Sequence, residues 1–213
     1  MAQMDQSDVF VIYDLAQFDS HGWRNRNRIK TAQGTQWLTV PTFKSTFQTI
    51  KDVLIDNSDN WATKHLKSIK QNYSRSKYYE MYIPIFEDVY SKQWKYLLDL
   101  DMAFILKIKD VLSINAEVKY SSDLNPEGNR ITKLIDICIK IGATEFLEGH
   151  AGKGYLQGEG EQLFKDNGIK LTYQDYNHPV YPQLYGEFVS HLSVIDLLFN
   201  CGKESLNIIR KGA

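Results

Sequence analysis

The sequence predicts an α/β protein: short strands alternate with helical stretches, giving a mostly parallel sheet flanked by helices. Three observations carry this. Residues 9–13 (VFVIY) are a fully apolar run ended by Asp14, the pattern of a buried strand in a parallel sheet. Asn125-Pro126-Glu127 opens a helical pattern through Arg130, Leu134, Ile137 and Ile141, with Gly142 as its stop. Residues 143–147 and 169–173 read as strands on either side of a helix around Glu161–Asp166 that ends at Asn167-Gly168.

The remaining elements follow in order. Residues 36–40 (QWLTV), stopped by Pro41, form a second strand, and residues 47–55 show helical spacing of Phe47, Ile50 and Leu54. Asn60 caps a helix whose Trp61, His65 and Ile69 share one face, with His65 a satisfied core histidine. Residues 74–101 give two tyrosine-rich helices, and the helical pattern continues to Leu112. The stretch 58–110 is therefore expected as a helical cap or insertion. Residues 114–120 alternate as a strand, and residues 192–199 start a last helix that Gly202 ends or kinks. At 213 residues the chain is read most simply as one domain.

Composition narrows the function. Net charge is -1, so no overall field attracts nucleic acid or an anionic membrane. No apolar run reaches transmembrane length and no signal peptide precedes the first strand, so no membrane insertion and a cytoplasmic location are expected. Cys138 and Cys201 lie in apolar helical pattern outside any paired-cysteine motif and are expected as buried free thiols. No pair of histidines has the short spacing of a zinc motif, and neither a phosphate-loop lysine motif nor a nucleophile-elbow serine is present. The motifs specify no cofactor.

Two segments carry chemistry. In residues 22–30 (GWRNRNRIK), strand alternation puts Arg24, Arg26, Arg28 and Lys30 on one face, beside Trp23. Converging guanidinium groups bind phosphate or carboxylate oxygens in bidentate fashion, so this strand is read as an anion site for a nucleotide-linked sugar or other anionic small molecule. An exposed edge strand protected by its charges is the plainer alternative. Residues 173–202 form the second segment, where Pro179 and Pro182 stiffen a loop rich in tyrosine and histidine. His178 is the preferred general acid/base there, helped by Asp175 or Asp14. Tyr176, Tyr181 and Tyr185 are candidate stacking rings, with Gln183 among the ligand-binding residues.

His150, in a glycine-rich turn, is a further candidate, and His191 reads equally as a capping or packing residue. Asp14, Glu148 and Asp175 at strand ends are expected to line one crevice. Asp196, inside the apolar VIDLLF run, requires a partner, which a tyrosine or an arginine can supply.

These blocks together resemble the WbqC-like family found in bacterial O-antigen and other surface-polysaccharide gene clusters. The matching pieces are SDVFVIYDLAQF with WRNRNRIK, WLTVP, Trp61 with His65, Ser121-Ser122 with Arg130, GATEFLEGHAGKGYL, YQDYNHPVYPQLYGEF and LSVIDLLFNCG. They run in order over nearly the whole chain. Members usually begin with a further His-Gln-Pro segment leading into the acid-flanked strand, and this sequence starts just after that point. The resemblance implies a cytoplasmic step in making a glycan building block. The reaction expected is an acyl or aminoacyl transfer onto a nucleotide-activated amino sugar. The alternative is a non-catalytic sugar-nucleotide-binding or scaffold protein of the same machinery, and a nucleotidyl-transfer enzyme is a third reading.

Overall fold

A computed structural model describes residues 1–19, 22–43 and 47–213. In chain order its elements are α1 (Ala2–Asp5), β1 (Val9–Ile12), β2 (Arg26–Thr31), β3 (Gly34–Thr39), α2 (Trp61–Tyr73), α3 (Tyr79–Tyr90), α4 (Leu97–Val111), β4 (Glu117–Tyr120), α5 (Ser121–Leu124), α6 (Arg130–Lys140), β5 (Glu145–Gly149), α7 (Lys153–Leu156), α8 (Glu159–Asp166), β6 (Lys170–Gln174), α9 (Val194–Cys201) and α10 (Ser205–Lys211). The α/β class holds: β1 pairs with β4 and β5 with β6 in parallel, while β2 and β3 form an antiparallel hairpin. The chain divides into two compact units, one of residues 1–15, 114–177 and 212–213, the other of residues 16–113 and 178–211.

In the first unit, α6 carries its apolar side chains three and four residues apart, so Ile131, Leu134, Ile135 and Cys138 form one stripe. That stripe packs with Leu156, Phe164 and Ile169, and Phe164 stacks on Phe146 of β5 at 5.1 Å between ring centroids. Helix α6 starts at Arg130, later than its opening signal, because Asn125 (φ 46°) and Gly128 (φ 87°) turn the chain away from helical geometry first. Thr132 Oγ1 then accepts the Asn129 N–H at 2.9 Å.

The ends of β1 and β4 are joined by Asp14. Its carboxylate accepts Ser121 Oγ at 2.7 Å, the Ser122 N–H at 2.9 Å and Ser122 Oγ at 2.6 Å. Burial pushes the Asp14 carboxyl up, but the bonds from Ser122 and Ser121 outweigh it and hold the group below the usual carboxylate range. Both β1 and β5 remain only half-buried, although β1 reads VFVI.

In the second unit, α2 buries Trp61, His65, Ile69 and Tyr73 along the face its four-residue spacing predicts. Val53, Ile55, Val89, Leu97 and Leu100 complete that core with Trp61, and an aromatic chain runs Tyr73–Phe199–Phe86–Phe104–Tyr90. The helix predicted over residues 47–55 is reduced to a single 3-10 turn at Ile50–Asp52. Phe47 sits at φ 61°, and Val53 and Ile55 give their backbone groups to Leu97 N and Lys95 O instead of to a helix. Residues 44–46 lie outside the described residues. Helix α9 ends at Gly202, where φ is 57° and a Cβ would fall 2.6 Å from the Tyr78 ring, so only glycine fits.

Two outcomes are expected. Asp14→Ala leaves the Ser121 and Ser122 donors unmatched and is expected to cost about 1–3 kcal/mol in urea unfolding with an unchanged slope. His65 is 7% exposed and donates Nε2 to the Thr39 carbonyl at 3.1 Å, and burial holds its pKa down to about 4. Between about pH 6.5 and that value the unfolded chain binds a proton that the folded chain refuses, so stability must fall as pH drops through this window. From pH 7 to pH 5 the loss attributable to His65 is expected to be about 2 kcal/mol, and His65→Gln is expected to remove it.

Candidate ligand-binding site

The site of the second unit begins with strand pairing. In the β2–β3 hairpin Arg28 stands opposite Trp37 and Arg26 opposite Thr39, so alternation puts both arginines on the face that carries Trp37. Trp23, just before β2, meets Trp37 with ring centroids 4.9 Å apart and planes 53° apart. The Arg26 guanidinium lies 4.7 Å from the Trp37 ring, and that of Arg28 lies 5.2 Å from Trp23 and 5.5 Å from Trp37. Such cation–π contacts fix guanidinium groups that are otherwise mobile. Arg26 Nε donates to Gly22 O at 2.9 Å and Arg28 Nη2 to His191 O at 3.2 Å. Trp23 is nevertheless 54% exposed and Trp37 42% exposed, a large apolar area facing solvent beside two cations.

Lys30 continues the alternation but leaves the platform. It is 2% exposed, and its Nζ donates to Gln183 Oε1 at 3.1 Å and to the Glu187 carbonyl. Arg24 precedes β2 and is exposed. The four-cation face read from the sequence is therefore narrowed to Arg26 and Arg28 on the indole pair.

The loop 178–193 has no regular structure, yet it is pinned at many points. Asp196 of α9 is fully buried and accepts Tyr73 OH at 2.8 Å and Tyr181 OH at 3.0 Å. Burial raises the Asp196 pKa, with the two tyrosine bonds and the Lys30 charge opposing it. Tyr73 OH also accepts the Lys30 N–H at 3.0 Å, so α2, β2, α9 and the loop meet at one polar knot. Gln183 closes the loop on itself, exchanging two bonds with Val189 at 3.0 and 2.9 Å, and Tyr185 OH donates to Asn72 O at 2.7 Å. Tyr185 (φ 62°) and His191 (φ 59°) are held in the left-handed region, a strain that persists only where the surroundings impose it.

This pinning places the His178 ring 5.3 Å from His191, 5.6 Å from Phe188 and 6.2 Å from Tyr181, and His178 Nδ1 donates to the Pro179 carbonyl at 3.1 Å. The bond from Arg28 to the His191 backbone carbonyl ties the indole–arginine platform to the segment that carries the paired imidazoles. Guanidinium groups there can hold an oxyanion, indoles can cover a sugar or base, and an imidazole can take a proton.

Tyr181, Gln183, Tyr185 and Lys30, read from the sequence as ligand-binding residues, spend their polar tips inside the unit's own scaffold. Trp37 and His191 are the platform members that the sequence reading did not select. The signal for Trp37 was the tight turn at Gly34, which sets Arg28 opposite it.

The first unit holds the other candidates. Asp175 and His150 lie 3.6 Å apart and are largely exposed, while Tyr176 is half-buried and its phenol pKa is raised by burial. Glu148 accepts Tyr155 OH at 3.0 Å and the Gly149 N–H at 2.8 Å. Glu148 and Asp175 do line one cavity, but Asp14 is turned into Ser121 and Ser122 and is absent from its walls. Two of the three acids expected in one crevice therefore line it, together with Asp8 and Glu145. Asp14 and Asp175 belong to the first unit and His178 to the second. Among the described residues no group of three His, Cys, Asp or Glu side chains is placed to hold a metal ion.

The chain matches the sequence model of the WbqC-like protein family over residues 1–208. It is similar to the uncharacterized protein Rv1507c of Mycobacterium tuberculosis, with 35% identity over 207 residues that cover 95% of this chain and 88% of that protein. No solved structure matches the chain. Among the described residues no helix is long and apolar enough to cross a membrane.

The knot around Asp196 is testable by a double-mutant cycle. Tyr73→Phe and Tyr181→Phe each remove one donor to a buried carboxylate and are expected to cost about 1–3 kcal/mol. Because both act on the same acid, the pair is expected to deviate from additivity by about 0.5–3 kcal/mol in urea unfolding.

Proposed function

The chain belongs to the WbqC-like protein family, and on that premise we propose that its second unit binds a nucleotide-linked amino sugar and transfers an acyl or aminoacyl group to it. The observation that carries this reading is the exposed Trp23–Trp37 pair with Arg26 and Arg28 fixed against it. A diphosphate needs forked donors, and Arg26 and Arg28 supply them already oriented, so little ordering entropy is lost on binding. The open indole faces suit the base or the sugar ring.

His178 is the base. Its ring lies beside His191, whose carbonyl holds Arg28, and this link between the platform and the histidine pair supports the assignment. In the step proposed, His178 takes a proton from the acceptor amine. The nitrogen bonds to the carbonyl carbon of an activated acyl donor, whose leaving group departs with its electron pair. Proton transfer by a positioned imidazole contributes about 10²–10⁴-fold to such a rate. Lys30, Tyr181 and Gln183 act as positioning residues, since they set the loop that carries His178.

The reading is tested with UDP-linked amino sugars in titration calorimetry and with an acyl donor in a product assay. Arg28→Ala and Trp37→Ala are each expected to weaken binding by about tenfold or more, from lost charge-assisted bonds and lost stacking. His178→Gln is expected to keep the affinity and lose transfer. Affinity unchanged in the Arg28→Ala, Trp37→Ala double variant sinks the binding site. Intact transfer in His178→Gln sinks the base and leaves a protein that only holds the sugar nucleotide.

A further inference from the structure

The β2–β3 hairpin has a free edge, and its register says which backbone groups that edge offers. In an antiparallel pair, residues that exchange ladder bonds alternate with residues whose N–H and carbonyl turn away from the other strand. The Val40 N–H donates to Asn25 O at 2.8 Å, so counting along the register makes Leu38, Gln36 and Gly34 the bonding residues of β3. Arg26, Arg28 and Lys30 of β2, and Thr35, Trp37 and Thr39 of β3, therefore turn their backbone outward. On β2 the chain itself uses these groups: Arg28 O accepts the Ser193 N–H at 2.8 Å, and the Lys30 N–H donates to Tyr73 OH at 3.0 Å. On β3 the Thr39 carbonyl is held by His65 at 3.1 Å. Among the described residues, no hydrogen bond reaches the outward N–H and carbonyl groups of Thr35 and Trp37.

This edge lacks the usual protection. Natural edge strands are guarded by charge, proline or a bulge. Strand β3 reads GTQWLT, with no charged residue, no proline and an uninterrupted register to β2. The charges that would guard an edge stand on β2, whose outer side Ser193 and Tyr73 already occupy. Thr35, Gln36 and Trp37 are all exposed. An open strand rich in threonine and tryptophan, with unused ladder groups, is a template for pairing.

We propose that β3 pairs antiparallel with β3 of a second copy of this chain, across a two-fold axis at Gln36. The edge is its own complement. With Gln36 facing Gln36 of the second copy, Thr35 stands opposite Trp37 on both sides of the axis, so every unmatched outward group receives a partner. A register centred on Trp37 opposes Thr35 to Thr39 instead, whose carbonyl His65 already holds. Thr35 against Trp37 also sets a β-branched residue beside an aromatic one, a favourable cross-strand pair. A two-fold contact closes on itself, so it gives a dimer and not a fibre. Residues directly opposite share a face, so the indole pairs and arginines of both copies come to one face of the joined sheet. The two Trp37 side chains then stand at diagonal positions, within reach of each other, and each copy contributes its indole to the other's platform. The two Arg28 residues are three strand spacings apart, about 14 Å, which exceeds the Debye length of about 8 Å, so their repulsion is screened. The dimer does not rest on the function proposed above.

The test is sedimentation of the whole chain without ligand, with hydrogen exchange read at the Thr35 and Trp37 amides. A dimer is expected, and both amides are expected to slow by at least about tenfold as concentration rises through the dissociation constant. Thr35→Pro removes an outward donor and no bond to β2, a position where a strand accepts proline, and is expected to weaken the dimer by about tenfold or more. Gln36→Cys gives a second measurement that does not depend on how the proline folds. Residues facing each other in a pair without ladder bonds have Cα atoms about 4.5 Å apart, within disulfide range. Mild oxidation is therefore expected to cross-link Gln36→Cys and not Gln33→Cys, which lies off the axis; the native Cys138 and Cys201 are buried. A monomer at every concentration overturns the proposal, as does a dimer whose Thr35 and Trp37 amides exchange as fast as in the monomer. Equal cross-linking of the two cysteine variants, or slow exchange at those amides in a monomer, overturns it as well.

Discussion

The buried carboxylate of Asp196 is the constraint on which the second unit depends. A carboxyl group with no exposure needs its hydrogen bonds made, and two donors from different parts of the chain converge to make them. Tyr73 comes from α2, Tyr181 from the loop, and Lys30 reaches the same place from β2 while bonding Gln183 and Glu187. The hairpin that carries Arg26 and Arg28 is thereby locked to the loop that carries His178 and His191. What looks at the surface like a loose stretch with two left-handed residues is set from beneath by one acid.

The same economy explains why so much polar material in residues 173–202 faces inward. A loop of this length without regular structure must satisfy its backbone locally or expose it. Gln183 does this by acting as a small strand partner, bonding both the N–H and the carbonyl of Val189. Tyrosines suit the task because each buries a ring and ends in one hydroxyl that a carboxylate or a carbonyl can use. The density of tyrosine, histidine and proline therefore reports construction as much as chemistry, with His178 and His191 as the members left near the surface.

Much of the fold was legible because periodic burial writes itself into sequence. The Trp61–His65–Ile69 face, the Gly142 and Gly168 stops, the strand ended by Asp14, and a partner for Asp196 all followed from spacing and from the cost of burying charge. Residues 47–55 misled because helical spacing of Phe47, Ile50 and Leu54 competes with pairing to residues 95–97, which no local pattern announces. Lys30 misled for a related reason. Alternation gives the face a side chain starts on, whereas a four-carbon stem decides where the charge ends. Trp37 and His191 joined the platform through contacts distant in sequence, so only the hairpin register hinted at the first and nothing hinted at the second.

The indole pair has an optical consequence. The chain has four tryptophans; Trp61 is buried in the core and Trp94 is half-buried, which leaves Trp23 and Trp37 as the exposed pair. Two indoles 4.9 Å apart at 53° couple their electronic transitions, and the coupling has a sign set by their handed arrangement. The pair therefore gives the protein a built-in circular-dichroism reporter in the far ultraviolet, whose amplitude follows any tilt of one ring against the other without a label.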